Sequence, residues 1–258
     1  MNATHFGFAA EESMISALNN KKVKELNNNL RLMLRQLYGY LDENEIVKCE
    51  KSKGYYKPDF IITCNGIKKF ISMKSGNAEA VHEEQISSVI TFLHEIGFSK
   101  NSLETIKLYQ YGDGTTDGTG DVRMGWREVF ETYHDRIKMA NEEFNNNKIK
   151  LFKVMDRFLF QGVDVQAIPA DAIYHGDVEK GVIITKTMVE KYFVYKDWNK
   201  YDGLHIGPFF MKPHYRFAGV PNDKIKNEHL RHKIQFKWPN MKADMLFIDK
   251  YFSGSKNR

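Results

Sequence analysis

Asp59 and Lys74 are the residues of this chain whose types and spacing best suit chemistry. Two β-rich runs, 59–64 and 67–72, flank Asn65-Gly66, a pair that tolerates positive φ and marks a two-residue hairpin turn. With that turn Cys64 pairs with Ile67, and counting back sets Asp59 opposite Ser72. Side chains alternate faces along a strand, so Asp59, Ile61 and Thr63 share a face with Phe70, Ser72 and Lys74. Asp59 and Lys74 become diagonal cross-strand neighbours within reach of one small site. A slip of one residue would put them on opposite faces. A carboxylate and an ammonium held together in this way suit the hydrolysis of an anionic ester, in which the acid binds a divalent cation and the lysine serves a water or offsets charge.

The elements that must position this pair can be read coarsely. Apolar periodicity predicts helices over about 8–19 and 23–40, and a strand over 45–49 precedes the hairpin. A helix over about 82–96 and a strand over 105–111 follow it. This order suits a central mixed sheet flanked by helices, an α/β fold. The glycine-rich stretch 112–120 breaks the chain. Its acids, Asp113 and Asp117, could approach a metal, although the stretch fits neither a phosphate-binding loop nor a calcium loop. Beyond it Trp126, Val129, Phe130, Tyr133, Ile137, Ala140 and Phe144 recur at the spacing of one long helix, with a second over 149–160. Strand-like runs lie at 181–185, 204–210 and 232–238, and 245–251 is ambiguous. The division expected is a core over 1–120 and an α+β C-terminal extension over 121–258, packed on the core.

Composition sets outer bounds. The 258 residues, 42% hydrophobic and 13% aromatic, can bury a large core. A net charge of +5 suits a polyanionic partner but does not select one. Cys49 and Cys64 fit no zinc spacing and no disulfide framework, and are expected to be reduced core residues. The N-terminus has no basic region followed by an apolar run, and no window approaches a membrane span, so a cytoplasmic protein is expected. Two basic-aromatic segments, 212–217 and 229–233, have the composition of phosphate-contacting surfaces, whereas Trp126 and Trp238 fit packing roles.

Pro58-Asp59 followed by Ser72-Met73-Lys74, within this helix–strand–strand–strand–helix order, resembles the PD-(D/E)XK nuclease superfamily over roughly the first 110 residues. The resemblance implies a restriction-endonuclease-like core and Mg²⁺, replaceable by Mn²⁺, as cofactor. It maps the central metal ligand to Asp59 and the water-positioning lysine to Lys74. The second acidic position of the motif falls on Ser72, and a hydroxyl substitutes poorly for a carboxylate.

Two compensations are visible. Some members of the superfamily with Ser or Thr here supply the acid from the following helix, where Glu83 and Glu84 stand, Glu84 being favoured. Others carry a Glu on the N-terminal helix. Glu11, followed by Met14, Ile15 and Leu18, lies on an apolar stripe where an unpaired carboxylate is costly. The metal set is therefore drawn from Asp59, Glu84, Glu11 and Glu83. The resulting expectation is a metal-dependent DNA endonuclease of type II restriction character, with DNA as partner and a homodimer matching a palindromic target. An inactive nuclease-fold binding protein and a structure-specific repair nuclease are the alternatives.

Overall fold

The computed structural model describes residues 3–53, 57–76, 79–164, 167–193, 196–199, 202–213, 217–226 and 228–255. In chain order it begins with α1 (Ala3–Leu18), β1 (Lys21–Lys22) and α2 (Asn28–Tyr38). The helix expected from residue 23 starts only at Asn28, because the Asn27 side chain accepts the Leu30 amide as an N-cap. Next come β2 (Ile46–Lys51), β3 (Phe60–Cys64) and β4 (Ile67–Lys74). Asn65 (φ 49°) and Gly66 (φ 74°) form the expected turn, and the ladder runs from Cys64↔Ile67 to Phe60↔Ile71 in the register counted from it.

The following segment departs from expectation. Ala80–Gln85 is a strand, β5, and helix α3 begins only at Ile86 (Ile86–Glu95). β5 pairs with a strand 150 residues later, setting Glu84 beside Ile234 and His82 beside Phe236, and that non-local pairing overrides the local helical pattern. The segment expected as a strand at 105–111 lies inside α4 (Lys100–Tyr111). Ser99 caps that helix through the Ser102 amide, Gly112 closes it in the left-handed region, and Leu103, Ile106 and Gln110 bury one helical face. The long helix expected after it is broken at Tyr133 (φ −112°, ψ 20°) into α5 (Trp126–Thr132) and α6 (His134–Asn146), and Trp126 is exposed rather than packed.

α7 (Lys148–Met155) runs into a π-helical turn, Asp156–Gln161. β6 (Ala172–Gly176), absent from the sequence reading, is followed by β7 (Gly181–Thr185) and α8 (Lys186–Phe193). The run at 204–210 is a hairpin of β8 (His205–Ile206) and β9 (Phe209–Pro213). β10 (Lys233–Lys237) is the strand that pairs with β5, and the ambiguous segment is a helix, α9 (Met241–Ser255). Of the basic-aromatic segment 212–217, His214, Tyr215 and Arg216 lie outside the described residues. Among the described residues no helix is long and apolar enough to cross a membrane.

The chain divides into two compact units that are discontinuous in sequence, rather than at one boundary near residue 120. The first comprises 1–78, 156–192 and 240–258. Its six-stranded sheet has the order β1-β2-β3-β4-β6-β7, with β4 and β6 parallel and the other pairs antiparallel. One face packs Val47, Cys49, Phe60, Ile62, Ile71, Met73, Ala172 and Tyr174 against Met14, Leu18, Leu30 and Leu34 of α1 and α2. β4 is central, so Ser72 on the opposite face is buried as well. The second unit, 79–155 and 193–239, has a four-stranded antiparallel sheet of order β5-β10-β9-β8 together with α3–α7.

Candidate active site

The site assembles at the end of the first unit's sheet where β4 and β6 finish. Open sheets place ligands beyond the carboxyl ends of parallel strands. The Asp59 amide donates to Ile71 O at 2.8 Å, extending the β3–β4 ladder by one residue. Asp59 Oδ2 accepts the Met73 amide at 2.5 Å and the Ser72 hydroxyl at 3.3 Å. Oδ1 has no hydrogen-bond partner among the described residues. One oxygen is thus anchored to the next strand. Lys74, the last residue of β4, is half-buried, and its ammonium has no ion-pair partner among the described residues.

Glu11 joins this pair from α1. Its side chain is 16% exposed, and Lys51 stands 3.6 Å from its carboxylate. Burial, then the Asp59 charge, push its carboxyl above the usual range despite the opposing charges of Lys51 and Lys74. Met14 and Leu18 on the same stripe are fully buried, as the spacing implies. Glu11, Asp59 and Lys74 therefore share one electrostatic neighbourhood.

Glu83 and Glu84 belong to the second unit and lie on β5, not on a helical turn. Glu84 is buried and bonded to His82 Nε2 at 2.8 Å. Glu83 meets Lys233 and Gln235, each at 3.4 Å. Asp113 forms a buried ion pair with Arg231, which withdraws Arg231 from the exposed basic surface expected at 229–233. Asp117 accepts from Thr119 within its own loop.

Two further residues stand close to the pair. Lys57 precedes Pro58-Asp59, and its ammonium donates to Phe158 O at 2.7 Å. Its side chain is only half-buried by area, yet its charged end sits out of water. Burial and the neighbouring Lys74 lower its pKa to about 7, against the pull of Asp59. The letters of the sequence give no sign of that burial. His175 on β6 is in register with Lys74, and burial followed by the Lys242 charge lowers its pKa, favouring the neutral ring. Its Nδ1 is shielded and has no hydrogen-bond partner among the described residues. Only the parallel pairing of β4 with β6, distant in sequence, brings it there.

Among the described residues no group of three or more His, Cys, Asp or Glu side chains could hold a metal. The available set is two carboxylates, Asp59 and Glu11, that repel one another. Such a set suits a hard cation that keeps several waters, as Mg²⁺ does, and does not suit a tetrahedral zinc cage.

The structure is similar to the crystal structure of restriction endonuclease MspI in complex with its cognate DNA, with a TM-score of 0.56 and 12% identity over 92% of this chain and 93% of that one. The fold is that of a restriction endonuclease. At this identity the likeness concerns the fold alone. No protein-family model matches the chain, and no curated protein matches it. Within the restriction-endonuclease fold, the mixed sheet flanked by helices agrees with the α/β expectation.

Proposed function

We propose that this chain is a metal-dependent DNA endonuclease that hydrolyses phosphodiester bonds, with Asp59 and Lys74 as its central residues. The observation that carries the reading is the convergence of Asp59, Lys74 and Glu11 at one end of the sheet in a restriction-endonuclease fold. Asp59, steadied through Oδ2, and Glu11 would hold Mg²⁺, or Mn²⁺ in its place. The bound cation supplies charge neutralisation and an acidified water. Lys74 orients that water and offsets the charge that builds on the phosphate. Ser72 does not replace the missing acid as a ligand. It donates to Asp59 and thereby orients it, while Glu11 supplies the second charge. Glu84 and Glu83 are the competing sources of that charge.

Type II restriction character is supported by the neighbour, a restriction endonuclease matched over 93% of its length. A sequence-specific enzyme also needs chain beyond the catalytic core to read base edges, and the second unit is available for it. A homodimer would match a two-fold symmetric target. The competing reading, an inactive nuclease-fold DNA-binding protein, is favoured by Ser72 at the acidic position and by the lack of a three-donor cluster among the described residues. Incubating purified protein with plasmid DNA and Mg²⁺ or Mn²⁺ separates the two. Discrete fragments support the restriction enzyme, junction-limited cutting supports a repair nuclease, and binding without cutting supports the inactive protein.

A further inference from the structure

The π-helical turn Asp156–Gln161 ends close to the candidate site, and its end is capped in an unusual way. The last carbonyls of a helix lack intrahelical partners, and a cation there is favoured by the helix dipole. The Gly162 amide closes the turn onto Arg157 O at 2.8 Å. The next carbonyl, Phe158 O, accepts the Lys57 ammonium at 2.7 Å. Gly162 has φ +82°, and a Cβ there would lie 3.5 Å from Lys57 Cβ and 3.8 Å from Lys57 Cδ. The lysine stem therefore lies along the helix end while its tip caps it. One residue on, Pro58 is buried and restricts the backbone, and Asp59 then reaches Met73 N through Oδ2.

We propose that Lys57 is a positioning residue. Its contact with Phe158 O ties the Lys57-Pro58-Asp59 segment to the π-helical turn and fixes Asp59 Oδ2 against the Met73 amide. The contact costs the removal of a cation from water, which a surface lysine would not bear. The backbone of Asp59 is already held on both sides, its carbonyl by the Ser52 amide at 3.0 Å and its amide by Ile71 O at 2.8 Å, and the Lys57 contact adds a tie to the π-helical turn on the residues that precede it. The effect on positioning follows from the geometry alone. The effect on catalysis rests on the nuclease reading.

The test uses Lys57→Met, which keeps the stem and removes the ammonium, and Lys57→Arg, which keeps a donor. The first readout is amide hydrogen exchange at Met73, with Ile183 on β7 as the internal control. In Lys57→Met, Met73 exchange rises by about tenfold or more, Ile183 does not change, and Lys57→Arg restores protection. The second is cleavage kinetics: kcat falls about 10–100-fold, the range for residues that orient a metal ligand, while KM for DNA holds. Unchanged Met73 exchange overturns the proposal, as does equal acceleration at Met73 and Ile183, which would mark general loss of stability. If wild-type protein cuts no DNA, the nuclease reading fails and the exchange readout alone decides the role of Lys57. Should Lys57→Met not fold, Lys57→Gln carries the same readouts and the same criteria.

Discussion

Ionisable groups at the candidate site of the first unit have different neighbours from the buried ones of the second, although the first unit also holds matched pairs such as Lys186 with Asp156. In the second, charges are matched locally: Glu84 with His82, Asp113 with Arg231, and Glu143 with the hydroxyls of Ser99 and Ser102. Burial opposes the charge on Glu143, but the hydrogen bonds from Ser102 and Ser99 outweigh it and hold the carboxyl below its usual range. At the candidate site of the first unit like charges are crowded together. Glu11 is pushed up by burial and by Asp59, and Lys57 is pushed down by burial and by Lys74. Matched buried groups serve the fold. Crowded like charges at the end of a sheet raise its energy, which fits the proposed role of that end as the active site.

This contrast can be broken by mutation. The largest effect is expected at its centre: Asp59→Ala and Lys74→Ala each lower plasmid cleavage by about 10²–10³-fold, the scale of losing one transition-state contact, with the circular dichroism spectrum unchanged. Full activity in either variant would remove the hairpin as the site.

Next in size is the paired substitution of acids. Glu84→Gln alters a buried hydrogen bond with His82 and should lower unfolding free energy by about 1–3 kcal/mol in urea titrations, with specific activity retained in the folded fraction. Glu11→Gln should do the reverse, lowering cleavage more than stability. Glu83→Gln, whose pairing with Lys233 is part-exposed, should change stability by less than about 1 kcal/mol. A folded but inactive Glu84→Gln protein would transfer the second acidic role to β5 and erase the distinction between the units.

A pH-dependent effect of about 3 kcal/mol at most is expected from His205 in the second unit. It is fully buried, its Nε2 lies 3.0 Å from Trp198 O, and burial lowers its pKa from 6.5 to about 4. Between those values the unfolded chain binds more protons than the folded one. The contribution of His205 is therefore complete above pH 6.5 and is lost as pH falls toward 4. Urea midpoints at pH 7 and pH 4.5 should differ, and His205→Asn should reduce the difference. The smallest effect belongs to Gly66→Ala. Nothing lies within 4 Å of the added methyl, so only the positive φ counts, at about 1 kcal/mol by thermal unfolding.

Legibility in the sequence followed the range of the interactions. The hairpin was readable because a two-residue turn and a period of two are both local, and together they set the register of Asp59 against Ser72 and Lys74. The place of Glu11 on a buried stripe with Met14 and Leu18 was readable because the stripe lies within one helix. The residues 82–85 misled because acids before an apolar helix look like its first turn, while their strand partner lies 150 residues away. The segment 105–111 misled through β-rich composition, although Ser99 and Gly112 at its borders were local signals of a helix.

The sequence by itself determined that one carboxylate, one hydroxyl and one lysine share a face, since strand geometry leaves them nowhere else to point. Only the tertiary structure decided the surroundings of that face. It set β6 beside β4 and so brought His175 into register with Lys74, placed Glu83 and Glu84 in the other unit, and buried the ammonium of Lys57. These outcomes depend on contacts between segments about a hundred residues or more apart, which local propensity does not encode.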